Sequence, residues 1–309
     1  MTILITGATG FIGSYLLDKL LYDTNYNIII LKRSTSDIFR ISNLLQKVKV
    51  YDADTINLEE IFKRNKINGI VHLATNYVKA HNLHSISSLI ESNITLPTKL
   101  IELSAIYGVR YFINTGTFFE YSFNCNPVTE ESQIKPYNLY AATKLAFNNV
   151  LEYYGSNTSL NILTLKLAAP FGYKDNQKLV PYLIKSLLNN EKVILEKGEQ
   201  EWDFIYVKDV VSAYISAIEL CINTKRSIFE EILIGTSEKT SIKKMVETIN
   251  GLHGKEMIFL EKEYQPNQIF TVYLDNSKAK NMLQWVPKYS IEDGLEETYN
   301  LYKASKNER

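Results

Sequence analysis

The chain has 309 residues and a mass of 35.5 kDa, enough for a large α/β domain with a smaller appendage and far too long for a disulfide-stapled miniprotein. Apolar residues make up 45% and charged residues 22%, close to globular averages. The 34 Lys and Arg residues balance the 34 Asp and Glu residues, and no local run supplies a basic surplus, so we expect no nucleic-acid partner.

Export, membrane and metal signals are missing from the sequence. Residues 1–7 contain no basic leader, and no stretch approaches the ~18 apolar residues of a membrane span, so we expect a cytoplasmic protein without membrane contact. Cys125 and Cys221 have no metal or redox spacing and are expected to be reduced interior thiols. No carboxylate or histidine cluster has metal-ligand spacing, so we expect no metal.

Short apolar runs alternate with helical patterns through the first 170 residues, which is typical of a parallel sheet with helices on both faces. The sequence therefore predicts a doubly wound, Rossmann-type α/β domain over residues 1–170. The predicted strands are 3–6, 27–32, 48–52, 69–74, 110–115 and 161–167, and the predicted helices are 11–23, 56–65, 85–107 and 136–157.

Shorter and less regular elements follow Pro170, starting with a loop over 171–175. We interpret residues 171–309 as a smaller mixed α/β substrate-binding lobe, with about 207–235 returning to the first sheet. The predicted helices here are 179–190, 207–223, 240–250 and 290–304, and the predicted strands are 202–207, 231–235 and 256–260.

Three glycines follow the first predicted strand and open the first helix, in GxxGxxG spacing. Glycines at such a turn let backbone N–H groups approach a pyrophosphate at the helix N-terminus, where the helix dipole favours negative charge. The spacing is typical of short-chain dehydrogenases and predicts a dinucleotide site. Its residues are Gly7, Thr9, Gly10, Phe11, Ile12 and Gly13.

The second strand ends in Lys32, Arg33 and Ser34. In folds that prefer NAD, an acidic residue at this position binds the adenosine ribose and repels a 2′-phosphate. Two cations and a hydroxyl suit a phosphate, so we predict NADPH as the cofactor and NAD as the less favoured one. The alternative is a pair of solvated surface charges.

Tyr140 and Lys144 have YxxxK spacing, which places a phenol and an ammonium one turn apart on a helix. A neighbouring ammonium favours phenolate, so we expect a lowered Tyr140 pKa and proton exchange with a carbonyl or alcohol oxygen. The same spacing occurs at Tyr15/Lys19, Tyr299/Lys303 and Tyr302/Lys306, where we interpret it as ordinary helix amphipathicity.

Only Tyr140 follows a strand that ends in hydroxyls, those of Thr115 and Thr117. A hydroxyl at the carboxyl end of a parallel strand points into the ligand crevice. Either threonine could therefore bind a substrate carbonyl while Tyr140 supplies the proton.

Together these motifs resemble the extended short-chain dehydrogenase/reductase family, in the branch that modifies nucleotide-activated sugars. The resemblance extends to nearly the whole chain, including the 136–144 block, the 198–210 block and residues 283–287. It implies a catalytic trio of Thr117, four residues before Tyr121, with Tyr140 and Lys144. It implies these further cofactor contacts: Asp52, Ala53, Leu73, Ala74, Thr75 and Asn93, with Tyr140 and Lys144. It implies these substrate contacts: Tyr77, Thr117, Phe118, Phe119, Lys178 and Trp202.

Phe118 and Phe119 stand where dehydratases of this family carry the Asp-Glu pair that eliminates water. The resemblance is greatest to 4-ketoreductases that finish deoxyhexoses, such as CDP-abequose and CDP-paratose synthases. It implies NADPH-dependent reduction of a nucleotide-linked 4-keto-6-deoxy sugar in deoxysugar (surface polysaccharide) biosynthesis. The alternatives are an NAD-dependent nucleotide-sugar epimerase and a non-catalytic NAD(P)-binding sensor.

The chain departs from the family pattern at Trp202 and Gln265, where arginines usually contact the substrate diphosphate. Lys178 or Lys262 could serve as a point charge in their place, without the bidentate geometry of arginine. The resemblance also implies a homodimer formed by the helices at 85–107 and 136–157.

Overall fold

The computed structural model describes residues 1–78, 81–176, 178–264 and 268–307, which form fourteen strands and ten α-helices. The strands are β1 Thr2–Thr6, β2 Asn27–Lys32, β3 Lys49–Asp52, β4 Gly69–His72, β5 Tyr111–Thr117, β6 Asn161–Leu167, β7 Ala169–Phe171, β8 Val193–Glu196, β9 Glu201–Trp202, β10 Phe204–Tyr206, β11 Phe229–Ile234, β12 Thr240–Ser241, β13 Ile258–Lys262 and β14 Thr271–Val272. The helices are α1 Phe11–Asp23, α2 Leu58–Arg64, α3 Leu83–Ile90, α4 Leu96–Ile106, α5 Leu139–Asn157, α6 Leu179–Leu188, α7 Val207–Asn223, α8 Ile242–His253, α9 Ser277–Leu283 and α10 Ile291–Asn307.

Seven strands form one parallel sheet in the order β11-β6-β5-β4-β1-β2-β3. Its central strands are almost continuously apolar and fully buried, because helices cover both faces. The order reverses between β1 and β4, so the carboxyl ends of these strands border the crevice where such folds bind ligands. The predicted Rossmann-type α/β class is confirmed.

Helices on the two faces bury separate apolar clusters. On one face, Leu16 and Leu20 of α1 share a buried cluster with Tyr214 and Ile218 of α7. On the other face, α2, α4 and α5 bury a second cluster against the sheet. The sheet is thereby rigid on both sides, which fixes the strand ends that carry the site.

A third buried cluster lies among the elements after β6 and includes side chains of α6, α8 and α10. Among the described residues, three small sheets accompany these helices: β13 pairs with β8, β10 pairs with β7, and the third has the order β12-β9-β14. β11 lies in the main sheet, beside β6. The domain boundary near residue 170 stays a prediction.

Two predicted elements are divided in the structure. The predicted helix at 85–107 consists of α3 and α4, joined by one π-helical turn over Glu91–Thr95. The predicted strand at 202–207 breaks at Asp203 into β9 and β10, and α7 begins already at Val207. At each interruption a buried side chain, Asn93 or Asp203, hydrogen-bonds to residues far away along the chain. A local sequence pattern does not predict such partners.

The expectation of two interior thiols is wrong for one of them. Cys221 is buried in α7, but Cys125 is exposed in the loop after β5, and neither forms a disulfide. The loop position explains the difference, since surface connections bury few side chains. Within the described ranges, no helix combines the length and the apolar character needed to cross a bilayer.

Candidate active site

The turn between β1 and α1 packs so closely that side chains do not fit. Gly7 has φ +72°, and a Cβ there would lie 2.6 Å from the backbone nitrogen of Ala74. A Cβ at Gly13 would lie 2.1 Å from the Gly7 carbonyl oxygen. The N-cap of α1 is Gly10, which supplies no side-chain cap, so the first N–H groups of α1 remain for an anion. These features fit the pyrophosphate of a dinucleotide.

Arg40, in the loop after β2, braces this glycine turn. Its guanidinium donates hydrogen bonds to the Thr9 carbonyl oxygen at 3.3 Å and to the Lys174 carbonyl oxygen at 2.9 Å. It also donates to Asn176 Oδ1 at 2.9 Å. Sequence reasoning missed Arg40, because its partners lie far away along the chain.

Cations at the end of β2 lie beside carboxylates at the end of the neighbouring strand β3. Lys32 and Arg33 make no ion pair within the part of the chain that the structure describes. The Ser34 hydroxyl donates to Asp52 Oδ2 at 2.7 Å, and this hydrogen bond is the main cause that lowers the Asp52 pKa. The Ser34 N–H donates to Asp54 at 2.8 Å. Of the three groups predicted for a 2′-phosphate, the Ser34 hydroxyl is committed to Asp52, and the Lys32 ammonium donates to the Arg33 carbonyl oxygen at 3.1 Å.

Thr117 ends β5 and caps the 3₁₀ turn Phe118–Glu120. Its Oγ1 accepts a hydrogen bond from the Phe119 N–H at 3.3 Å, which leaves its own hydrogen for a ligand. Thr115 Oγ1, in contrast, donates to the His72 carbonyl oxygen at 2.8 Å and lies 2.6 Å from the Tyr214 hydroxyl. The geometry therefore favours Thr117 over Thr115 as the substrate-binding hydroxyl.

Tyr140 and Lys144 lie on the buried face of α5, which the Asn138 side chain caps. The segment before α5 is fixed to the 3₁₀ turn after β5, because the Tyr137 N–H donates to the Phe119 carbonyl oxygen at 2.9 Å. This hydrogen bond brings the first turn of α5 to the carboxyl end of β5. The other three YxxxK pairs lie in α1 and α10, as expected for amphipathic helices.

The expectation of a lowered Tyr140 pKa is wrong. Burial raises the pKa of the phenol, the Glu120 carboxylate raises it further, and a hydrogen bond between Tyr140 and Thr75 opposes both. Burial lowers the pKa of Lys144 to about 8, and Glu120 opposes that shift. Desolvation is the largest cause of both pKa shifts, and the raised pKa of Tyr140 favours the protonated phenol, which can donate its proton.

Asn93 joins the end of β4 to α5. Its Oδ1 accepts from the Thr75 hydroxyl at 3.1 Å, and its Nδ2 donates to Thr143 Oγ1 at 2.9 Å. Asn93 lies in the π-helical turn between α3 and α4, which turns this buried amide toward α5. The Tyr77 ring packs edge-on against Tyr140 at a centroid distance of 4.9 Å. The predicted residues Leu73 and Ala74 precede Thr75, beside Gly7.

An aromatic cluster follows Thr117 in the same region. Phe119 stacks with Tyr137 at 5.5 Å, and the Trp202 ring lies 5.9 Å from Phe118. The Trp202 indole N–H donates to the Ile269 carbonyl oxygen at 2.9 Å, which anchors this ring to the segment before β14. The aromatic cluster comprises Phe118, Phe119, Phe123, Tyr137, Trp202 and Phe204.

Lys178 and Ala53 are two further residues predicted to contact substrate or cofactor. Lys178 precedes α6, where its ammonium lies 3.8 Å from Asp175. The Ala53 N–H donates to the Lys32 carbonyl oxygen at 2.7 Å. Gln265 lies outside the described residues. Among the residues that the structure does describe, no group of three or more His, Cys, Asp or Glu side chains is placed to hold a metal.

Known proteins with similar sequences and structures support a common family. CDP-abequose synthase from Salmonella muenchen is 29% identical over 303 residues, covering 97% of both chains, and that from Salmonella typhimurium is 30% identical over 305 residues, covering 96% of both. A crystal structure of UDP-glucuronic acid 4-epimerase from Bacillus cereus, in complex with UDP-glucuronic acid and NAD, has a TM-score of 0.87 and 26% identity, covering 99% of this chain and 100% of that one. The family model for the NAD dependent epimerase/dehydratase family matches residues 3–230. The chain belongs to this family.

Proposed function

We propose that the protein reduces the C4 ketone of a nucleotide-linked 4-keto-6-deoxy sugar, with NADPH as the reductant. The observation that supports a reductase most directly is the similarity along nearly the whole chain to two CDP-abequose synthases. The site also supplies the buried phenol of Tyr140 at the end of the crevice. Carbonyl reduction needs a proton donor at this place, whereas the first step of an epimerase, an oxidation, needs a base.

Each catalytic side chain has a distinct role in this proposal. Tyr140 donates its proton to the ketone oxygen as that oxygen becomes an alkoxide. The Thr117 hydroxyl, whose hydrogen has no acceptor in the 3₁₀ turn, donates a hydrogen bond to the same oxygen and stabilises its developing charge. The Lys144 ammonium supplies positive charge next to the phenol on α5. Elimination of water is disfavoured, because Phe118 and Phe119 offer neither acid nor base.

The dinucleotide fits the crevice through groups already described. Gly7, Gly10 and Gly13 with the first N–H groups of α1 would hold the pyrophosphate, and Lys144 would hold the nicotinamide ribose. When bound, the dinucleotide supplies the hydride. Lys32 and Arg33 support the choice of NADPH, since a 2′-phosphate would meet two unpaired cations. Asp52 and Asp54 beside Ser34, and the NAD in the Bacillus cereus structure, count against treating NAD as the less favoured coenzyme.

The substrate contacts are proposed for the aromatic cluster and Tyr77. Rings of Phe118, Phe119 and Trp202 present apolar surface rather than the guanidinium groups expected from family resemblance. Such surface suits the deoxygenated face of a sugar, which has no hydroxyl to leave unpaired. Lys178, about half exposed, remains available for electrostatic contact with a diphosphate.

The epimerase alternative is favoured by one specific observation, the similarity to a 4-epimerase solved with NAD. The sensor alternative is weakened because Thr117, Tyr140 and Lys144 are all present at the crevice. A direct experiment separates the three functions. The purified protein is incubated with a panel of 4-keto-6-deoxy sugar nucleotides that differ in base, and NADPH absorbance is followed. The proposal predicts stoichiometric NADPH consumption with a 4-keto sugar. Inversion at C4 in a parallel panel of 4-hydroxy hexose nucleotides, without added NADPH, would instead establish the epimerase, and no turnover with either panel would favour the sensor.

We also propose that the protein is a homodimer, paired through α4 and α5. Ile106 at the end of α4 and Tyr153 in α5 are large apolar side chains that are each 62% exposed. Exposed apolar side chains on adjacent helices are typical of a surface that another chain covers.

A further inference from the structure

Beneath the carboxyl ends of β5 and β6 lies a buried charged cluster, formed by Glu120, Lys166 and Glu231. The Lys166 ammonium is completely buried and lies 3.1 Å from Glu120 Oε2 and 2.6 Å from Glu231 Oε2. The Glu120 side chain is 1% exposed, whereas that of Glu231 is 26% exposed. Lys166 also donates to the Tyr121 hydroxyl at 3.2 Å.

The backbone makes room for this cluster at Gly116, the register partner of Lys166 in the β5–β6 pair. A Cβ at Gly116 would lie 2.8 Å from Lys166 Cγ and 3.0 Å from Glu120 Oε1. Burying charges costs several kcal/mol per ion, and apolar side chains of similar volume often replace such groups without loss of stability. Stability alone therefore does not account for these charges.

Glu120 connects the cluster to the proposed catalytic groups. Its Oε1 accepts a hydrogen bond from the Thr117 N–H at 2.8 Å, and this bond fixes the turn that carries the Thr117 hydroxyl. The Glu120 carbonyl oxygen accepts a hydrogen bond from the Lys135 N–H at 2.9 Å, which fixes Glu120 to the segment that leads into α5. From there its carboxylate acts on Lys144 and Tyr140 of α5. Lys144 itself is 2% exposed, and among the described residues it makes no ion pair within 4.0 Å.

We propose that Glu120 is a positioning residue that keeps Lys144 charged and Thr117 in place, and that Lys166 is the buried counter-ion that keeps Glu120 ionised. This inference rests on the proposed roles of Thr117 and Lys144, and it adds an alternating series of charges from Lys166 through Glu120 to Lys144.

The signs of the electrostatic effects support this series. Burial raises the pKa of Glu120, and Lys166 is the strongest group opposing that rise. Burial lowers the pKa of Lys144 to about 8, and Glu120 opposes that fall. Other titratable groups among the described residues also surround these two. Glu231, Tyr121 and Tyr140 interact with Glu120, and His72 of β4, beside Lys144, is kept neutral by burial.

The test measures the charge of Lys144 directly, in the complete protein without substrate. Lysine labelled with carbon-13 at Cε is followed by NMR against pH, and the Lys144 signal is assigned by its loss in Lys144→Met. In Glu120→Gln, the amide oxygen still accepts the Thr117 N–H and Lys166 retains Glu231. We expect the titration midpoint of Lys144 to fall by roughly one pH unit, the lower end of the effect of a nearby opposite charge. An unchanged midpoint in this variant overturns the inference.

Glu231→Gln is the matched control, because it makes the same chemical change at the other carboxylate of Lys166, away from Thr117. We expect the Lys144 midpoint to stay as in the wild-type protein, and an equal fall in both variants would contradict a specific role for Glu120. Glu120→Asp keeps the charge and should restore most of the midpoint. If Glu120→Gln does not fold, the double variant Glu120→Gln/Lys166→Gln removes both buried charges together. A smaller fall in the same direction is expected, because the repulsion from the Lys166 ammonium is lost as well. None of these measurements depends on turnover. A protein without reductase activity can therefore still show the fall in the Lys144 midpoint, and the two proposals can fail separately.

Discussion

The chemistry of the site depends on how completely single side chains are withdrawn from water. Tyr140 and Lys144 are 8% and 2% exposed, and desolvation moves both toward their neutral forms. The sequence shows the spacing of the pair but not its burial, which is why the expected direction of the phenol pKa was wrong. A neutral phenol is nevertheless the form that a ketone reductase requires.

Replacing Tyr140 with Phe should remove the proton donor and leave the packing nearly intact. We expect kcat to fall by roughly 10²- to 10⁴-fold, the usual contribution of a general acid, with coenzyme affinity changed by no more than about twofold. Steady-state kinetics and fluorescence titration with NADPH measure the two quantities. Tyr299→Phe, in another YxxxK pair, is the control and should keep full activity. Equal activity of both variants would exclude Tyr140 from proton transfer.

Lys32 and Arg33 test the coenzyme preference. If they bind a 2′-phosphate, replacing both with Ala should lower the ratio of kcat/KM for NADPH to that for NADH by at least about tenfold, or about 1.4 kcal/mol. Lys225 and Arg226 form a second exposed Lys-Arg pair, at the end of α7, and their double Ala variant should keep the wild-type ratio. A wild-type protein that already prefers NADH would contradict the assignment of Lys32 and Arg33.

Among strands and helices, those with continuous periodic patterns were predictable and those shaped by buried polar groups were not. The apolar runs of β1, β2, β4, β5 and β6 identify the sheet, because both faces of a parallel sheet are buried. The π-helical turn around Asn93 and the break at Asp203 could not be predicted, since each depends on hydrogen bonds with distant elements. Short strands such as β7 and β14 were missed because two or three residues are too few to show an alternation of apolar and polar side chains.

Asp203 shows what such a break contributes to stability. Its buried carboxylate accepts hydrogen bonds from the Thr236 N–H and hydroxyl, both at 2.8 Å, and from the Leu274 N–H at 3.2 Å. Asp203→Asn would turn a donor amide toward these donors, and we expect a loss of about 1–3 kcal/mol in the free energy of unfolding at pH 7.5. Urea denaturation measures it, with Glu238→Gln, an exposed carboxylate in the same loop region, as the control. A stability equal to that of the wild-type protein would contradict the assigned hydrogen bonds.

The contribution of Asp203 to the free energy of unfolding also depends on pH, because burial raises the pKa of this carboxyl group from 3.8 to about 6. Between those values the folded state binds more protons than the unfolded state, so the Asp203 contribution to stability decreases as pH rises from about 4 to 6. Unfolding free energies measured across that window should therefore decline less steeply with rising pH in Asp203→Asn than in the wild-type protein. Parallel curves would exclude the shift.

Across the complete chain, the site is assembled from motifs that sequence can identify and from supports that it cannot. The glycine turn, Thr117 and the Tyr140-Lys144 pair are local patterns, and they lie together because parallel strands end at one edge. Arg40, Glu120 and Lys166 act through partners up to 136 positions away, so their roles appear only in three dimensions. Association between chains is equally hard to predict from sequence, because the proposed dimer surface is formed by two helices, α4 and α5, that lie apart along the chain.

The proposed dimer makes a prediction about that surface. Ala146 and Tyr153 lie about two turns apart on α5, Ala146 half-buried and Tyr153 exposed, and Ile106 is exposed on the adjacent α4. Ala146→Arg would place a bulky cation in a contact between helices, where an unpaired charge is costly. We expect this variant to have the mass of a monomer in size-exclusion chromatography with light scattering, while the wild-type protein has that of a dimer. Ala304→Arg makes the same change on the exposed side of α10 and should stay dimeric. A monomeric wild-type protein, or a dimeric Ala146→Arg variant, would show that α4 and α5 do not form the interface.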